Sequence, residues 1–440
     1  MLTDTITAIS TANGTGAISV IRVSGEDAFD IAGKLTRKDF SGVKGNTVHY
    51  ATIFDGEELV DEVLISFFRH PHSFTGEDVA EISCHGGVYL TRKVLGLVLA
   101  RGARMAERGE FTQRAFLNGK MDLAQAEAVN DLIFARDEIN ARSAVHSLKG
   151  SVTKILDPLE EDLVQIISNI EVNIDYPEYE DVHELTEEEV LPKSREWLEK
   201  IGQLIRRAEE ANTIREGIDT VILGKPNVGK SSLLNALLEE DKAIVTEIAG
   251  TTRDLVEGSV RLGDITLNLI DTAGIRESDD KVEQIGIEKS IKALEKAQLV
   301  IVVIDANNMD EQDEELLRMT ENRNRIVVYN KKDKKQIDNT IAISAIQGDI
   351  DALVTEIQRL YERELSSAHM DTLNNERQIG LAKYAKLAME DAVRSLEEGM
   401  ELDLVTIDLQ KAYDALKEIR GNTSREDLLD EIFSRFCLGK

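Results

Sequence analysis

The sequence predicts a multidomain protein of mixed α/β and α class, in which a doubly wound α/β domain lies between two helical stretches. Strand and helix patterns alternate over residues 217–345, which is typical of a doubly wound parallel sheet. On both sides of that region, apolar residues recur three and four positions apart, as in amphipathic helices. Residues 1–118 hold short β-branched runs separated by Gly, Asn and Asp, so we expect an α+β region there.

These patterns divide the 440 residues into four predicted segments: 1–118, 119–216, 217–366 and 367–440. The chain starts without a basic region followed by an apolar stretch, so no signal peptide is expected. The most apolar strand-like run, at 299–306, is far too short to span a bilayer. No membrane segment is therefore expected. Because the chain has two cysteines, Cys84 and Cys437, the sequence predicts a cytoplasmic protein with no disulfide framework.

The formal net charge is -30, from 52 basic and 82 acidic residues. A surface this acidic repels phosphate backbones. If the protein acts on nucleic acid, we expect a partner to supply the basic surface. The alternative is that the excess acid serves only solubility.

In the first segment, the runs TITAIST, AISVIRVS, VLISFFR and DVAEISC predict strands, and residues 90–102 predict a helix. Residues 121–150 read as one amphipathic helix, with further helices on either side of the α/β region. Pro192 is expected in the first turn of a helix or at a break. Gly421 is expected to stop a helix, with Thr423 or Ser424 capping the next one.

A phosphate-binding loop is the most specific local pattern. GKPNVGKS at 224–231 fits G-x-x-x-x-G-K-[ST] between a strand and a helix. Gly224 and Gly229 permit a tight wrap whose N–H groups face phosphate oxygens. Lys230 supplies a positive charge at the β- and γ-phosphates, and Ser231 offers a hydroxyl ligand to Mg²⁺.

Three further elements follow in the order expected of a guanine-nucleotide site. DTAG at 271–274 ends a strand, so Asp271 can reach the Mg²⁺ shell and the Gly274 N–H can meet a γ-phosphate. NKKD at 330–333 places Asp333 to accept from N1–H and the exocyclic amine of guanine, a donor pair that adenine lacks. The pair Ser-Ala at 344–345 would back the base.

The residue after DTAG is Ile275, where small regulatory GTPases carry a water-orienting glutamine. Another group must therefore orient the attacking water, and another charge must replace an arginine finger. Asn227 offers a carboxamide oxygen inside the phosphate loop. That oxygen either helps to bind a monovalent cation beside the β–γ bridge or only shapes the loop.

The chain resembles the MnmE (TrmE) family of tRNA-modification GTPases over essentially its whole length. The resemblance rests on these segments: IRVSG, SFTGEDVAEISCHGG, GEFTQRAFLNGKMDLAQAEAV, GKPNVGKSSLLNALL, VTEIAGTTRD, DTAGIRE, VEQIGIE and the terminal FCLGK. The family fold implies a tetrahydrofolate-binding N-terminal domain that mediates homodimerisation. It also implies a helical domain built from two separated stretches, with a Ras-like GTPase domain inserted between them.

The implied activity is potassium-stimulated GTP hydrolysis coupled to modification of the wobble uridine of certain tRNAs at carbon 5. The family acts with the flavoprotein MnmG (GidA) and a one-carbon donor, 5,10-methylene- or 5-formyl-tetrahydrofolate. Such a partner would supply the tRNA-binding surface that this acidic chain lacks. Two alternatives stay open: a ribosome-assembly GTPase, and a folate-binding regulator without modification activity.

The resemblance also implies site residues. It assigns Glu283 to orienting the attacking water, although alone this carboxylate reads as a solvated loop charge. The implied K⁺ ligands are Asn227, Thr246, Ile248 and Thr251, and the implied Mg²⁺ ligands are Ser231 and Thr252. The predicted GTP contacts are Asn227, Val228, Gly229, Lys230, Ser231, Ser232, Thr246, Glu247, Ile248, Ala249, Gly250, Thr251, Thr252, Asp271, Thr272, Ala273, Gly274, Asn330, Lys331, Asp333, Ser344 and Ala345.

For folate, the resemblance implies Arg22, Glu81, Lys120 and Lys440. Basic groups suit the glutamyl carboxylates, and a carboxylate suits the adjacent N–H donors of the pterin. Glu81 alternates with apolar neighbours and also reads as the wet side of a strand. Cys437 matches the family's terminal cysteine, which tRNA modification needs, and alone it also reads as a packed thiol.

Overall fold

The computed structural model describes residues 4–135, 137–175, 189–240, 256–270, 294–334, 341–368, 371–422 and 426–439. The chain separates into two units. One comprises Met1–Phe134, Ala144–Ser194 and Tyr384–Lys440, and the other Ala135–Ser143 and Arg195–Lys383. The first unit thus joins helices from before and after the α/β region. The predicted multidomain fold class is confirmed, whereas the four segment boundaries stay predictions.

The first unit contains a six-stranded sheet, ordered β3-β4-β5-β2-β1-β6. Neighbouring strands run antiparallel except β1 and β6, which are parallel. Helices α1 and α2 pack against it around a core that includes Ile21, Ile65 and Val94. The bounds are β1 Ile6–Ile9, β2 Ile18–Ser24, α1 Ala28–Thr36, β3 Thr47–Asp55, β4 Glu58–Phe68, β5 Val79–His85, α2 Val88–Leu99 and β6 Arg104–Met105.

All four strands predicted here are present, and so is the helix predicted near residue 90. The prediction omitted α1, β3 and the two-residue β6. Strand β3, which matches α1 in length, has outward side chains that include Val48 and Tyr50, both more than half exposed, so apolar residues stand on both faces of the strand. The alternation of apolar and polar residues that marks a half-buried strand is therefore weak in this segment.

The helices of the first unit include α3 Glu110–Leu117, α4 Leu123–Phe134, α6 Ser151–Asp175, α13 Leu402–Ile419 and α14 Glu426–Ser434. Arg420, just after α13, donates to the Thr153 carbonyl of α6 at 2.9 Å, which ties the two separated stretches together. Three further helices have residues in both units: α5 Glu138–Leu148, α7 Leu191–Glu216 and α12 Glu376–Glu397.

The single helix predicted over 121–150 was wrong, because the structure has two helices, α4 and α5. Asp137 begins the second one: its carboxylate accepts from the Asn140 N–H at 2.7 Å, as an N-cap does. Apolar periodicity continues across this cap, so periodicity alone does not reveal it. Pro192 does lie in the first turn of α7, and Gly421, at φ +86°, does follow the end of α13. The predicted caps Thr423 and Ser424 lie outside the described residues.

The second unit holds another six-stranded sheet, ordered β12-β11-β10-β7-β9-β8, in which only β8 runs antiparallel. Strand β10 is almost wholly buried, as expected of a parallel strand covered on both faces. The carboxyl ends of β7, β10 and β11 meet at one edge, where such sheets bind ligands. The bounds are β7 Ile218–Leu223, α8 Lys230–Glu240, β8 Val256–Leu262, β9 Ile265–Ile270, β10 Leu299–Asp305, α9 Glu311–Met319, β11 Arg325–Asn330, β12 Ile341–Ala342, α10 Asp351–Leu360 and α11 Glu362–Ala368.

A buried ion-pair network braces the first unit. Arg114 of α3 is 1% exposed and donates to the Asp4 and Glu110 carboxylates at 2.7 and 3.0 Å, and to Glu77 at 3.1 Å. Burial raises the pKa of Glu110, but hydrogen bonds from Arg104, the Glu107 backbone and Arg114 outweigh it, so this pKa lies below the ordinary value.

We expect Arg114→Met to destabilise this unit by about 3 kcal/mol, because it takes the ion-pair partner from Glu77 and one of two arginine partners from the buried Glu110. Hydrogen exchange of the α3 amides, followed by mass spectrometry, measures the loss of protection. The stabilisation belongs to the ionised Glu110, so it is present at neutral pH and is lost as the pH falls through the lowered pKa. Arg92→Met, an exposed change in α2, is the control. Equal protection in the two variants would contradict the expectation.

Candidate nucleotide-binding site

The phosphate loop is packed tightly against the end of β10 and the end of β11. A Cβ at Gly224 would collide with the carbonyl oxygen of Val303, and a Cβ at Gly229 would collide with the carboxamide of Asn330. Gly229 also has φ +103°, a conformation that side chains disfavour. Both glycines are therefore required by contacts within the protein. Helix α8 begins at Lys230, within the last two residues of the loop, so its N-terminal N–H groups lie beside the rest of the loop.

Lys230 lies across the loop. Its Nζ donates to the carbonyl oxygens of Gly224 and Lys225 at 2.6 and 2.8 Å, and it has no ion pair among the described residues. Burial lowers the pKa of this ammonium. A bound phosphate would supply the missing anion and favour the charged form.

Asn330 connects three segments that are distant in sequence. It is 3% exposed, its Nδ2 donates to the Val228 carbonyl at 2.9 Å, and its Oδ1 accepts from the Ala345 N–H at 3.0 Å. A carboxamide satisfies both contacts because it carries a donor and an acceptor on one planar group. The phosphate loop, NKKD and Ser-Ala, predicted separately, thus form one site.

Lys331 adds a second link to the phosphate loop. Its Nζ donates to the Asn227 carbonyl at 2.8 Å and pairs with Asp305 at 2.7 Å. Burial raises the pKa of Asp305, but hydrogen bonds from Lys331 and Asn307 outweigh it, so the carboxyl pKa lies below its ordinary value. The sequence analysis missed Asp305. Its place at the carboxyl end of a buried strand was the available signal.

Asp333 is exposed beside these groups. Its Oδ1 accepts from the Ser344 hydroxyl at 2.8 Å, and its Oδ2 accepts no hydrogen bond from the described residues. The Ser344 hydroxyl thus orients the carboxylate. Ser231 and Ser232 both lie in the first turn of α8. Ser231 is exposed and Ser232 is partly exposed.

Asn227 lies at the exposed crest of the loop with φ +61°. Its backbone carbonyl accepts from Lys331, while its carboxamide forms no hydrogen bond within the described residues. That oxygen is therefore available to a cation. The remaining predicted positions around the phosphates lie outside the described residues: Thr246, Glu247, Ile248, Ala249, Gly250, Thr251, Thr252, Asp271, Thr272, Ala273, Gly274 and Glu283.

Of the predicted folate residues, Arg22 and Glu81 pair with each other, and Lys120 binds a backbone carbonyl. Arg22 on β2 and Glu81 on β5 are cross-strand partners, and their side chains form an ion pair at 2.8 Å. The guanidinium stacks over Phe74 and Phe111, and its Nη1 is buried with no hydrogen-bond partner in the part of the chain that the structure describes. Lys120 donates to the Pro71 carbonyl at 2.8 Å.

The C-terminal tail docks on the same unit. The Ser10 hydroxyl donates to the Gly439 carbonyl at 3.1 Å, and Leu438 forms an antiparallel bridge with Arg108. Cys437 is partly exposed, and its carbonyl accepts from the Gly109 N–H at 3.4 Å. The tail therefore places Gly439 at the end of β1 and the backbone of Cys437 beside Gly109. Lys440 lies outside the described residues.

In the part of the chain that the structure describes, no helix combines the length and apolar character needed to cross a bilayer.

The fold and the site define a P-loop nucleotide-binding protein of the GTPase class. Two family models match the chain: the MnmE helical domain over residues 123–437 and the GTP-binding protein TrmE N-terminus over residues 5–120. The chain belongs to the MnmE (TrmE) family of tRNA modification GTPases.

Three curated relatives carry the name tRNA modification GTPase MnmE. The protein of Lactobacillus gasseri is 45% identical over 454 residues, covering 99% of this chain and 98% of its own. The Lactococcus lactis protein is 44% identical with the same coverage of both chains. The Bacillus cytotoxicus protein is 43% identical and covers 99% of each.

Proposed function

We propose that this chain is a potassium-dependent GTP hydrolase whose cycle drives tRNA modification. The observation that carries the proposal is the buried Asn330, which ties the phosphate loop to the NKKD and Ser-Ala segments. The name of the relatives, tRNA modification GTPase, supports both the nucleotide and the wider role, since identity is 45% along 99% of the chain.

The described residues of the nucleotide site have roles that follow from their contacts. Lys230 leaves the carbonyls of the loop for the β- and γ-phosphates, Asp333 selects guanine, and Lys331 holds the crest of the loop. Glu283 orients the attacking water, a function that the apolar Ile275 is unable to perform.

The residues proposed as ligands offer oxygen atoms, which suit both proposed cations. The carboxamide of Asn227 offers an oxygen with no hydrogen-bond partner among the described residues, and K⁺ there would add positive charge at the β–γ bridge. Thr246, Ile248 and Thr251 would complete that set. Ser231 and Thr252 would hold Mg²⁺, which prefers oxygen ligands.

The modification half of the proposal concerns tRNA. With the flavoprotein MnmG (GidA), the chain adds a carboxymethylaminomethyl or aminomethyl group at C5 of the wobble uridine, U34, of certain tRNAs. Since the net charge is -30, the partner supplies the basic surface that tRNA requires. The chain itself acts as a homodimer.

The carbon comes from a folate donor, 5,10-methylene- or 5-formyl-tetrahydrofolate, bound by the first unit. Within the described residues, the buried Nη1 of Arg22 has no hydrogen-bond partner, and a ligand carboxylate would satisfy it. Glu81, Lys120 and Lys440 complete the proposed folate contacts. Cys437 lies on the tail docked to this unit, in keeping with its proposed part in modification.

Mass spectrometry of wobble uridines tests the modification half. Deleting the gene from its host should remove the C5 group from U34, and the wild-type gene should restore it. An Arg22→Met gene should fail to restore the group while its purified product still hydrolyses GTP, because folate and nucleotide bind different units. Arg92→Met, an exposed arginine of the same unit, should restore it. Unchanged U34 in the deletion strain would refute this function.

A further inference from the structure

The second residue of the phosphate loop is anchored outside the loop. The Nζ of Lys225 lies 2.7 Å from a carboxylate oxygen of Asp310 and 2.7 Å from one of Asp313. The lysine side chain is 12% exposed and Asp313 is fully buried. Hydrogen bonds from the ammonium to Asp310 and Asp313 raise the pKa of Lys225, so the side chain stays charged at physiological pH.

The two carboxylates are held in place by the first turn of helix α9. Asp310 is its N-cap and accepts from the Gln312 N–H at 3.0 Å, while Asp313 accepts from the Asp310 N–H at 3.1 Å. This reciprocal pair is a capping box, which fixes both side chains on the backbone of the helix. The other oxygen of Asp313 is buried and has no hydrogen-bond partner within the described residues.

Lys225 also touches the predicted phosphate-binding lysine through its backbone. Its carbonyl oxygen accepts from Lys230 Nζ at 2.8 Å. The side chain of Lys225 is thus fixed to α9, while its peptide group holds the ammonium of Lys230. Moving the side chain would displace this peptide and the backbone of the phosphate loop around it.

We propose that Lys225 is a positioning residue for nucleotide binding and that it acts through its ion pairs with Asp310 and Asp313. This inference rests on the proposed GTPase function. The ion pairs hold the first half of the loop in the shape that phosphates require, and they neutralise two carboxylates that would otherwise repel an anionic ligand. The loop is then fixed from two sides, by α9 through Lys225 and by β11 through Asn330 and Lys331.

Nucleotide titration of the full-length chain tests the proposal. With fluorescent GDP, Lys225→Met should raise Kd at least about 10-fold, because a displaced loop loses several aligned contacts at once. The KM for GTP should rise with it. Lys225→Arg should stay near wild type, since a guanidinium can reach both carboxylates. Lys383→Met is the matched control: it removes a lysine that pairs with Glu209 at 2.6 Å in the same unit.

A purely structural role would lower the melting temperature of the nucleotide-free protein without changing the Kd of the folded fraction. If Lys225→Met does not fold, the double variant Lys225→Met/Asp313→Asn removes the buried charge and answers the same question. A folded variant that binds GDP within about twofold of wild type would overturn the inference. Wild-type protein that fails to bind GDP would overturn the proposed function itself, and the inference with it.

Discussion

Asp333→Asn is expected to weaken GDP and GTP binding by roughly 10²- to 10⁴-fold and to favour xanthine nucleotides instead. The carboxylate of Asp333 has two acceptor oxygens for N1–H and the amine of guanine. A carboxamide keeps one acceptor and places an NH₂ donor against the guanine amine. Xanthine carries a carbonyl oxygen at that position, so the new donor is satisfied. Competition titrations with GDP and XDP measure the exchange of preference.

The Ser344 hydroxyl donates to Asp333 Oδ1 at 2.8 Å, and the carboxamide oxygen of the variant retains this contact. The change therefore tests base recognition and leaves the loop in place. Asp349→Asn is the matched control, because Asp349 pairs with Lys332 at 2.6 Å and is not expected to touch the base. Undiminished GDP affinity in Asp333→Asn, without any gain for XDP, would show that another residue selects guanine.

Replacing Asn227 is expected to abolish potassium stimulation and to lower GTP turnover in potassium buffer by roughly 10²-fold. The carboxamide is the one described ligand of the proposed K⁺ site. Asn227 has φ +61°, which alanine tolerates poorly. Asn227→Gly therefore removes the carboxamide without backbone strain. Turnover in K⁺ and in Na⁺ should become equal in both the Ala and the Gly variants.

The affinity for GDP distinguishes loss of the cation site from damage to the phosphate loop. Asn227→Gly should bind GDP close to wild-type strength, since the Lys331 contact goes to the backbone carbonyl. Asn235→Ala, an exposed asparagine on α8, should keep its response to K⁺. If Asn227→Gly hydrolyses GTP at the wild-type rate and still distinguishes K⁺ from Na⁺, the cation does not act through this carboxamide.

The sequence was most informative where a local pattern has one chemical use. GKPNVGKS between a strand and a helix predicted the phosphate loop, and the structure has that loop between β7 and α8. The two separated helical stretches were likewise predicted, and parts of both, residues 144–194 and 384–440, lie in one unit. The assigned roles of Thr246, Thr252 and Glu283 stay predictions, since these positions lie outside the described residues.

Elements without a local signal were missed. Strand β3 is apolar on both faces, and the break between α4 and α5 depends on the cap at Asp137. The Asp310–Asp313 pair lies in an acidic stretch that resembles solvated surface. The burial of Asp313 and the 2.7 Å distances from both carboxylates to Lys225 distinguish the pair from surface charge.

By itself the sequence determined that this protein has a phosphate loop, and it predicted that the NKKD segment selects guanine, because each pattern needs particular residues at fixed spacing. Tertiary structure decided how they meet. Asn330 reaches Val228 across 102 positions because β11 lies beside β10 and β10 beside β7. Strand order in a parallel sheet is set by long-range packing, which the periodicity of a single chain does not encode.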